Sequence, residues 1–309
     1  MSLSRGILLW ASENQWMRRH VPTWKFVKHA VKKFMPGENL EDALDAAKIF
    51  QYDSIPVILT HLGENIKDLS EGGDVCDHYL EAIDRIVEKK LDIELSIKLT
   101  QLGFDISFDE TYSRFKKIAA KVKEELGNIL WIDMEGSSYT KRTIDFYKKI
   151  KSEFDNIGIC VQAYLYSTEA DIKDILDINP NIRLVKGAYS EPSGIAFPKK
   201  EDVDKNYLHL AKMVMKNMAE KKAFIGFATH DENICAHLIR EAKHYSVHKD
   251  KFEFQMLYGI KPAFQKEMKS HGFRLRVLIS YGNFWYPWYM RRLAERPANV
   301  WFVLKNIFN

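Results

Sequence analysis

The 309-residue chain is poor in the features that mark several large protein classes. It has three cysteines, Cys76, Cys160 and Cys235. The number is odd, no two are close, and no CxxC or zinc-ligand spacing occurs, so neither a disulfide framework nor a zinc site is expected. Such usage suits a reducing compartment, and a cytoplasmic protein is the expectation. No run of about 18 apolar residues occurs, which argues against a transmembrane helix. The start, Met1-Ser2-Leu3, lacks the basic and then apolar stretch of a signal peptide. Charge of neither sign dominates: 46 basic against 42 acidic residues leave +4, too little to argue for nucleic acid. Lysines such as Lys116, Lys117, Lys121 and Lys123 read as a solvated helix face. No GxGxxG follows the first apolar run, which weakens an open dinucleotide-binding sheet, and no GxSxG offers a serine nucleophile.

What is present is a repeating pattern. Short apolar runs alternate with charged segments of helical period, the mark of βα units and a parallel sheet. Eight runs read as strands: Ile55–Leu59, Ile93–Leu99, Ile129–Met134, Ile157–Tyr164, Ile182–Lys186, Phe224–Thr229, Phe252–Leu257 and Leu275–Ile279. Nearly continuous apolar runs suit strands buried on both faces. Asp77–Lys90, Glu110–Leu126, Thr140–Glu153, Lys205–Lys221 and Ile234–His244 read as helices between them. Eight units predict an α/β fold of the (βα)8, TIM-barrel type. No linker divides the chain, so one domain is expected: residues 1–50 as extra N-terminal helices packed on a barrel of residues 51–309.

In such a barrel, chemistry belongs at the C-terminal ends of the strands. Lys98 stands at the end of the second run, Asp133 at the third, Gln162 at the fourth. The fifth contains Arg183 and ends Lys186-Gly187-Ala188-Tyr189; the sixth ends Thr229-His230-Asp231; the seventh holds Glu253 and Gln255. Any one of these alone reads best as a structural ion pair. Several converging on one end make a site the better account, because buried charges are costly without partners. Only His230 is placed as a metal ligand, so a catalytic metal is not expected. The remaining cations and amides suit an anionic substrate and an electron-rich cofactor. After the last strand, Pro287 suits a helix start, and Arg291 and Arg292 follow. Two readings of that pair stay open: a fork gripping one carboxylate, or a surface pair satisfied by Glu295 and solvent.

Taken together, Lys98 within Ile97-Lys98-Leu99, the run Arg183-Leu184-Val185-Lys186-Gly187-Ala188-Tyr189, Phe227-Ala228-Thr229-His230, Phe252 to Leu257 and Arg291-Arg292-Leu293-Ala294-Glu295 resemble the proline dehydrogenase family in its short, monofunctional bacterial form. The motifs run from about Leu62 to Phe302. The resemblance implies a distorted barrel holding FAD noncovalently, with the final helix over the active site. It implies oxidation of L-proline to 1-pyrroline-5-carboxylate in proline catabolism, by hydride transfer to flavin N5. It makes Asp133 and Arg183 the catalytic pair, with Arg183 near N5, and gives Lys98, Arg291 and Arg292 the substrate carboxylate. Leu257 and Leu278 would meet the substrate. Met134, Gln162, Arg183, Lys186, Gly187, Ala188, Thr229 and His230 would line FAD. Glu64 would pair with an arginine of the last helix to close the site, with Glu295 as the second gate residue. A quinone is the implied electron acceptor. The aromatic-rich C-terminal region, Phe284 to Phe308, offers a peripheral contact at the inner face of the membrane, with core packing and the substrate lid as the preferred uses of those rings.

The chain departs from the family at Leu278, where relatives carry a tyrosine against the far side of the proline ring; Tyr281 and Tyr286 are candidates to fill that space. Asp231 replaces a common asparagine. Alternatives are a non-catalytic amino-acid-binding barrel, a dehydrogenase for a substituted proline such as hydroxyproline, and a flavin-free barrel for phosphorylated substrates. The last would need a glycine-rich phosphate loop, for which Tyr258-Gly259-Ile260 is a poor candidate.

Overall fold

The eight apolar runs form eight parallel strands: β1 (Val57–His61), β2 (Ile93–Ile97), β3 (Leu130–Ile132), β4 (Ile157–Gln162), β5 (Asn181–Val185), β6 (Phe224–Ala228), β7 (Phe252–Leu257) and β8 (Leu275–Tyr281). The computed structural model describes residues 3–63, 66–218 and 223–295. The strands follow sequence order and close on themselves, β1 pairing with both β2 and β8. Pro56 has no N–H for a ladder, and β1 accordingly starts at Val57, two residues later than its apolar run.

Four helices precede the barrel: α1 (Leu3–Glu13), α2 (Gln15–His20), α3 (Lys25–Val31) and α4 (Leu40–Tyr52). The connections carry α5 (Leu69–Glu88), α6 (Phe108–Lys121), α7 (Ser137–Lys151), α8 (Thr168–Ile175), α9 (Lys200–Met218), α10 (Glu232–His244) and α11 (Pro262–Ser270); α12 (Trp285–Glu295) follows β8. Their starts are chemically marked. The side chains of Asp68, Ser107 and Asp231 accept from backbone N–H groups in the first turns of α5, α6 and α10. In α12, Pro287 sits in the first turn, where no intrahelical N–H is required.

Two apolar clusters matter for the site. The larger joins the outward strand faces to the surrounding helices, and α4 shares it through Ala43, Leu44 and Ala47. The second lies over the C-terminal mouth. Leu8 and Ala11 of α1, Leu62 after β1 and Ile260 after β7 meet Trp285, Tyr286, Tyr289 and Leu293 of α12. Rings of this kind bury about 150–250 Å² each, so at about 25 cal/mol per Å² each contributes several kcal/mol to keeping α12 in place. Trp285 also donates to Glu38 at 2.9 Å, and Tyr286 to the Ala11 carbonyl at 3.3 Å. The aromatic residues of α12 are therefore packing residues, and the N-terminal helices are what hold that helix over the mouth.

Candidate active site

Successive side chains of a strand point to opposite faces. In β2, Ile93, Leu95 and Ile97 pack outward, while Glu94, Ser96 and then Lys98 turn into the barrel. By the same alternation Glu253, Gln255 and Leu257 of β7, and Arg276, Leu278 and Ser280 of β8, face inward. The barrel is thus lined by polar groups along much of its length, and Arg183 of β5 stands at their centre.

Arg183 is almost wholly buried. Its Nε donates to Gln255 Oε1 at 2.7 Å, and its Nη1 to Ser96 Oγ at 2.9 Å and Asp133 Oδ1 at 3.0 Å. Its guanidinium carbon lies 4.5 Å from the centre of the Trp131 ring, a cation–π contact. Ser96 in turn donates to Asp133 at 2.6 Å, and Lys98 Nζ stands 3.7 Å from the other carboxylate oxygen. Burial alone would push the Asp133 carboxyl up. Lys98 and Arg183 beside it, with the Ser96 hydroxyl, outweigh that and hold it below the usual carboxylate range. Burial pushes the nearby Cys160 thiol up to about 12, so it is no nucleophile.

Below this layer lies a second set of charges. Arg276 donates from Nε to Glu253 at 3.1 Å, and its Nη2 lies 3.2 Å from Glu94. Against the penalty of burial, those two carboxylates hold Arg276 firmly charged. Burial pushes Glu94 up, as does neighbouring Glu253, while Arg276 pulls it down.

Around the β5 and β6 ends, Lys186 pairs with Asp204 at 2.5 Å and Asp231 at 3.4 Å. Asp231 also caps α10, so it has a structural task of its own. Thr229 accepts from the Asp231 N–H at 3.2 Å, and His230 Nε2 from the Leu257 N–H at 2.8 Å. Leu257 and Leu278 are neighbours in register. Gly187 has φ +111, and an added Cβ would come within 2.1 Å of the Tyr164 ring. Its missing side chain is required by the chain itself, a reason that spacing alone did not reveal.

The structure gathers Lys98, Asp133, Arg183 and Gln255 around one point, with Met134 and Gln162 linked by a 3.4 Å hydrogen bond. Arg291 is buried with its guanidinium 5.0 Å from the centre of the Tyr189 ring, just past β5, and Arg292 beside it is half-buried. Glu64 and the side chain of Glu295, the two expected gate residues, lie outside the described residues. Tyr281 is not beside Leu278: it lies on the opposite face of β8, its hydroxyl 2.9 Å from His78 Nε2 on α5. Tyr286 is committed to Ala11, so neither tyrosine takes up the space at Leu278. Sequence reasoning missed Ser96, Trp131, Glu94 and Arg276. The signal was there: each sits at an inward position of its strand.

Some buried polar atoms here are left over. Arg183 Nη2, Gln162 Oε1 and Ser280 Oγ have no hydrogen-bond partner among the described residues. Leaving such atoms unpaired costs about 1–3 kcal/mol each, so a ligand with both donors and acceptors fits this lining. The isoalloxazine edge, with ring nitrogens, carbonyls and an N–H, is of that kind.

A closed (βα)8 barrel with cations and amides gathered under a helix at its C-terminal mouth defines the class, a TIM-barrel enzyme with its site at that mouth. The comparisons carry this further. A profile of the proline dehydrogenase family matches residues 43–305. Proline dehydrogenase 1 of Bacillus subtilis subsp. natto is 35% identical over 303 residues, 98% of each chain. Proline dehydrogenase of Deinococcus radiodurans is 34% identical over 281 residues, 89% of each. The chain belongs to the proline dehydrogenase family. Among solved structures, proline utilization A from Bdellovibrio bacteriovorus, inactivated by N-propargylglycine, superposes with a TM-score of 0.79 at 23% identity. That match covers 94% of this chain and 36% of the larger protein, and it shows the same fold.

Proposed function

We propose that the protein oxidises L-proline to 1-pyrroline-5-carboxylate with FAD as its cofactor. The observation that carries this reading is the buried Arg183, fixed on three sides and left with one guanidinium nitrogen unpartnered in the barrel. FAD, when bound, would supply the two-electron acceptor for a hydride from the substrate ring. Arg183, with Nη2 unpartnered, would donate to the flavin and place positive charge beside it, which would favour the reduced state. Met134, Gln162, Lys186, Gly187, Ala188, Thr229 and His230 would line the rest of the cofactor. Lys98, Arg291 and Arg292 hold the substrate carboxylate and so fix which ring carbon faces the acceptor. Asp133 bridges Lys98 and Arg183 and holds both in place. Leu257 and Leu278 cover the ring and exclude water.

The test is turnover. Purified protein should retain FAD and convert L-proline, with an artificial quinone, to a product trapped by an aromatic amino-aldehyde. A flavin-free protein that binds proline without turnover would fit the amino-acid-binding alternative instead.

A quinone acceptor and a peripheral membrane contact of a cytoplasmic protein belong to the same reading. Residues 1–37 hold seven Lys or Arg and one acidic residue, a net +6, so the rest of the chain carries −2 to reach the total of +4. Trp10 and Trp16 are 62% and 59% exposed there, and α2 buries none of its residues. Aromatic and basic residues together suit an anionic lipid surface. Among the described residues no helix is long and apolar enough to cross a membrane. Sedimentation with anionic vesicles, lost on Trp10→Ala with Trp16→Ala, checks this contact; no sedimentation of the parent chain removes it.

A further inference from the structure

The polar groups inside the barrel form a closed circuit. Arg183 can only donate, so Gln255 must turn its amide oxygen toward Nε, and its NH2 is left needing an acceptor. Glu253 Oε1 supplies that acceptor at 2.8 Å. The Glu253 carboxylate is held by Arg276, and Arg276 by Glu94. Glu94 accepts from Trp131 Nε1 at 2.6 Å, and the face of Trp131 carries Arg183. Two inward glycines make the room. A Cβ at Gly158 would lie 2.4 Å from the Trp131 ring, and one at Gly226 2.6 Å from Gln255 Nε2. Asp92 lies 3.4 Å from Arg276 and Arg274 3.8 Å from Glu253, at the outer end of the same set.

We propose that Glu253 is a positioning residue for the proline oxidation proposed above, on which this inference rests. With Arg276 and Glu94 behind it, Glu253 sets the direction of the Gln255 amide. That amide fixes Arg183 so that Nη2 is the nitrogen left for the reacting groups. Glu253 itself touches neither substrate nor cofactor.

The design of the circuit dictates its test. Glu253→Gln leaves a buried NH2 without an acceptor, and Gln255→Glu sets two carboxylates side by side with no donor between them. The double variant exchanges the two side chains and keeps the total charge: the carboxylate at position 255 accepts from Arg183 Nε and from the amide NH2 at position 253, whose oxygen is left for Arg276 at the place of the longer, 3.4 Å contact. Each single variant is expected to lower kcat for L-proline about tenfold or more, as befits misplacing a charged hydrogen bond, with KM and bound FAD little changed. The exchange is expected to recover most of that loss. Gly226→Ala pushes the Gln255 amide aside while changing no charge, so it should lower kcat and move the flavin potential to more negative values. An exchange that fails to fold or to recover kcat overturns the proposal, as does Gly226→Ala with parental kcat and potential. If a single variant does not fold, the exchange and Gly226→Ala decide. A parent protein that L-proline does not reduce would overturn the functional reading instead.

Discussion

Asp133→Asn is the perturbation that probes the site's electrostatics most sharply. The carboxylate accepts from Arg183 Nη1 at 3.0 Å and Ser96 Oγ at 2.6 Å, with Lys98 Nζ at 3.7 Å. Both cations are buried, and Asp133 itself is only 18% exposed. Removing one partner of a buried ion pair costs about 3–5 kcal/mol, because the remaining charge is stranded. Asparagine keeps one oxygen for Ser96 and Arg183 but leaves two cations facing each other, so a loss of about 3 kcal/mol is expected. At roughly 2–4 °C per kcal/mol for chains somewhat shorter than this one, Tm should fall by several degrees. The effect carries a sign in pH. The folded pKa of Asp133 is depressed, so its stabilisation is fully present above the unfolded value near 3.9 and is lost as pH falls through the folded value. Calorimetry at equal flavin occupancy should therefore show a wide gap between parent and variant at neutral pH, narrowing below about pH 4. Equal Tm values at neutral pH, or a gap indifferent to pH, would refute the reasoning.

Other outcomes follow from the same geometry. Arg291→Met and Arg292→Met should each raise KM for L-proline by about tenfold or more and leave bound FAD unchanged, as expected for a lost charged hydrogen bond to the substrate carboxylate; an unchanged KM in both would remove α12 from the substrate site. Leu278 has only Leu257 and Ile58 as register neighbours, with neither nearby tyrosine on its face. Leu278→Tyr should lower kcat/KM for trans-4-hydroxy-L-proline relative to L-proline, within the about 1–3 kcal/mol that pocket bulk usually commands. An unchanged ratio would make the leucine a structural substitution only. All three cysteines are buried, and burial pushes the thiols of Cys160 and Cys235 up to about 12 and that of Cys76 upward. Thiol reagents at mildly alkaline pH should then label the native protein negligibly, and rapid labelling of any one cysteine would contradict the burial described.

The barrel is legible in the sequence because each strand is a short, largely apolar run set between helical segments. The start of α5 is less so. Its pattern reads from Asp77, yet the helix begins at Leu69, because Gly72 and Gly73 look like a break. Buried Gly72 is instead a close contact: an added Cβ would lie 2.8 Å from the Leu102 carbonyl. Reading polar residues at and near strand ends finds Lys98 and Asp133 just past β2 and β3, and Arg183 within β5. It passes over Ser96, Trp131, Glu94 and Arg276, which lie deeper and count only once alternation assigns them to the barrel interior. The position of α12 was not legible from helical period at all. It depends on α1 and α3 supplying an apolar partner across the mouth, a contact between the two ends of the chain.

The central claim is that this barrel transfers a hydride from L-proline to FAD, and an anaerobic titration tests it directly. Flavin-loaded protein should lose its visible flavin absorbance as L-proline is added, with one pyrroline-5-carboxylate formed for each flavin reduced. A fully loaded protein whose flavin stays oxidised under L-proline and its close ring analogues would contradict the account.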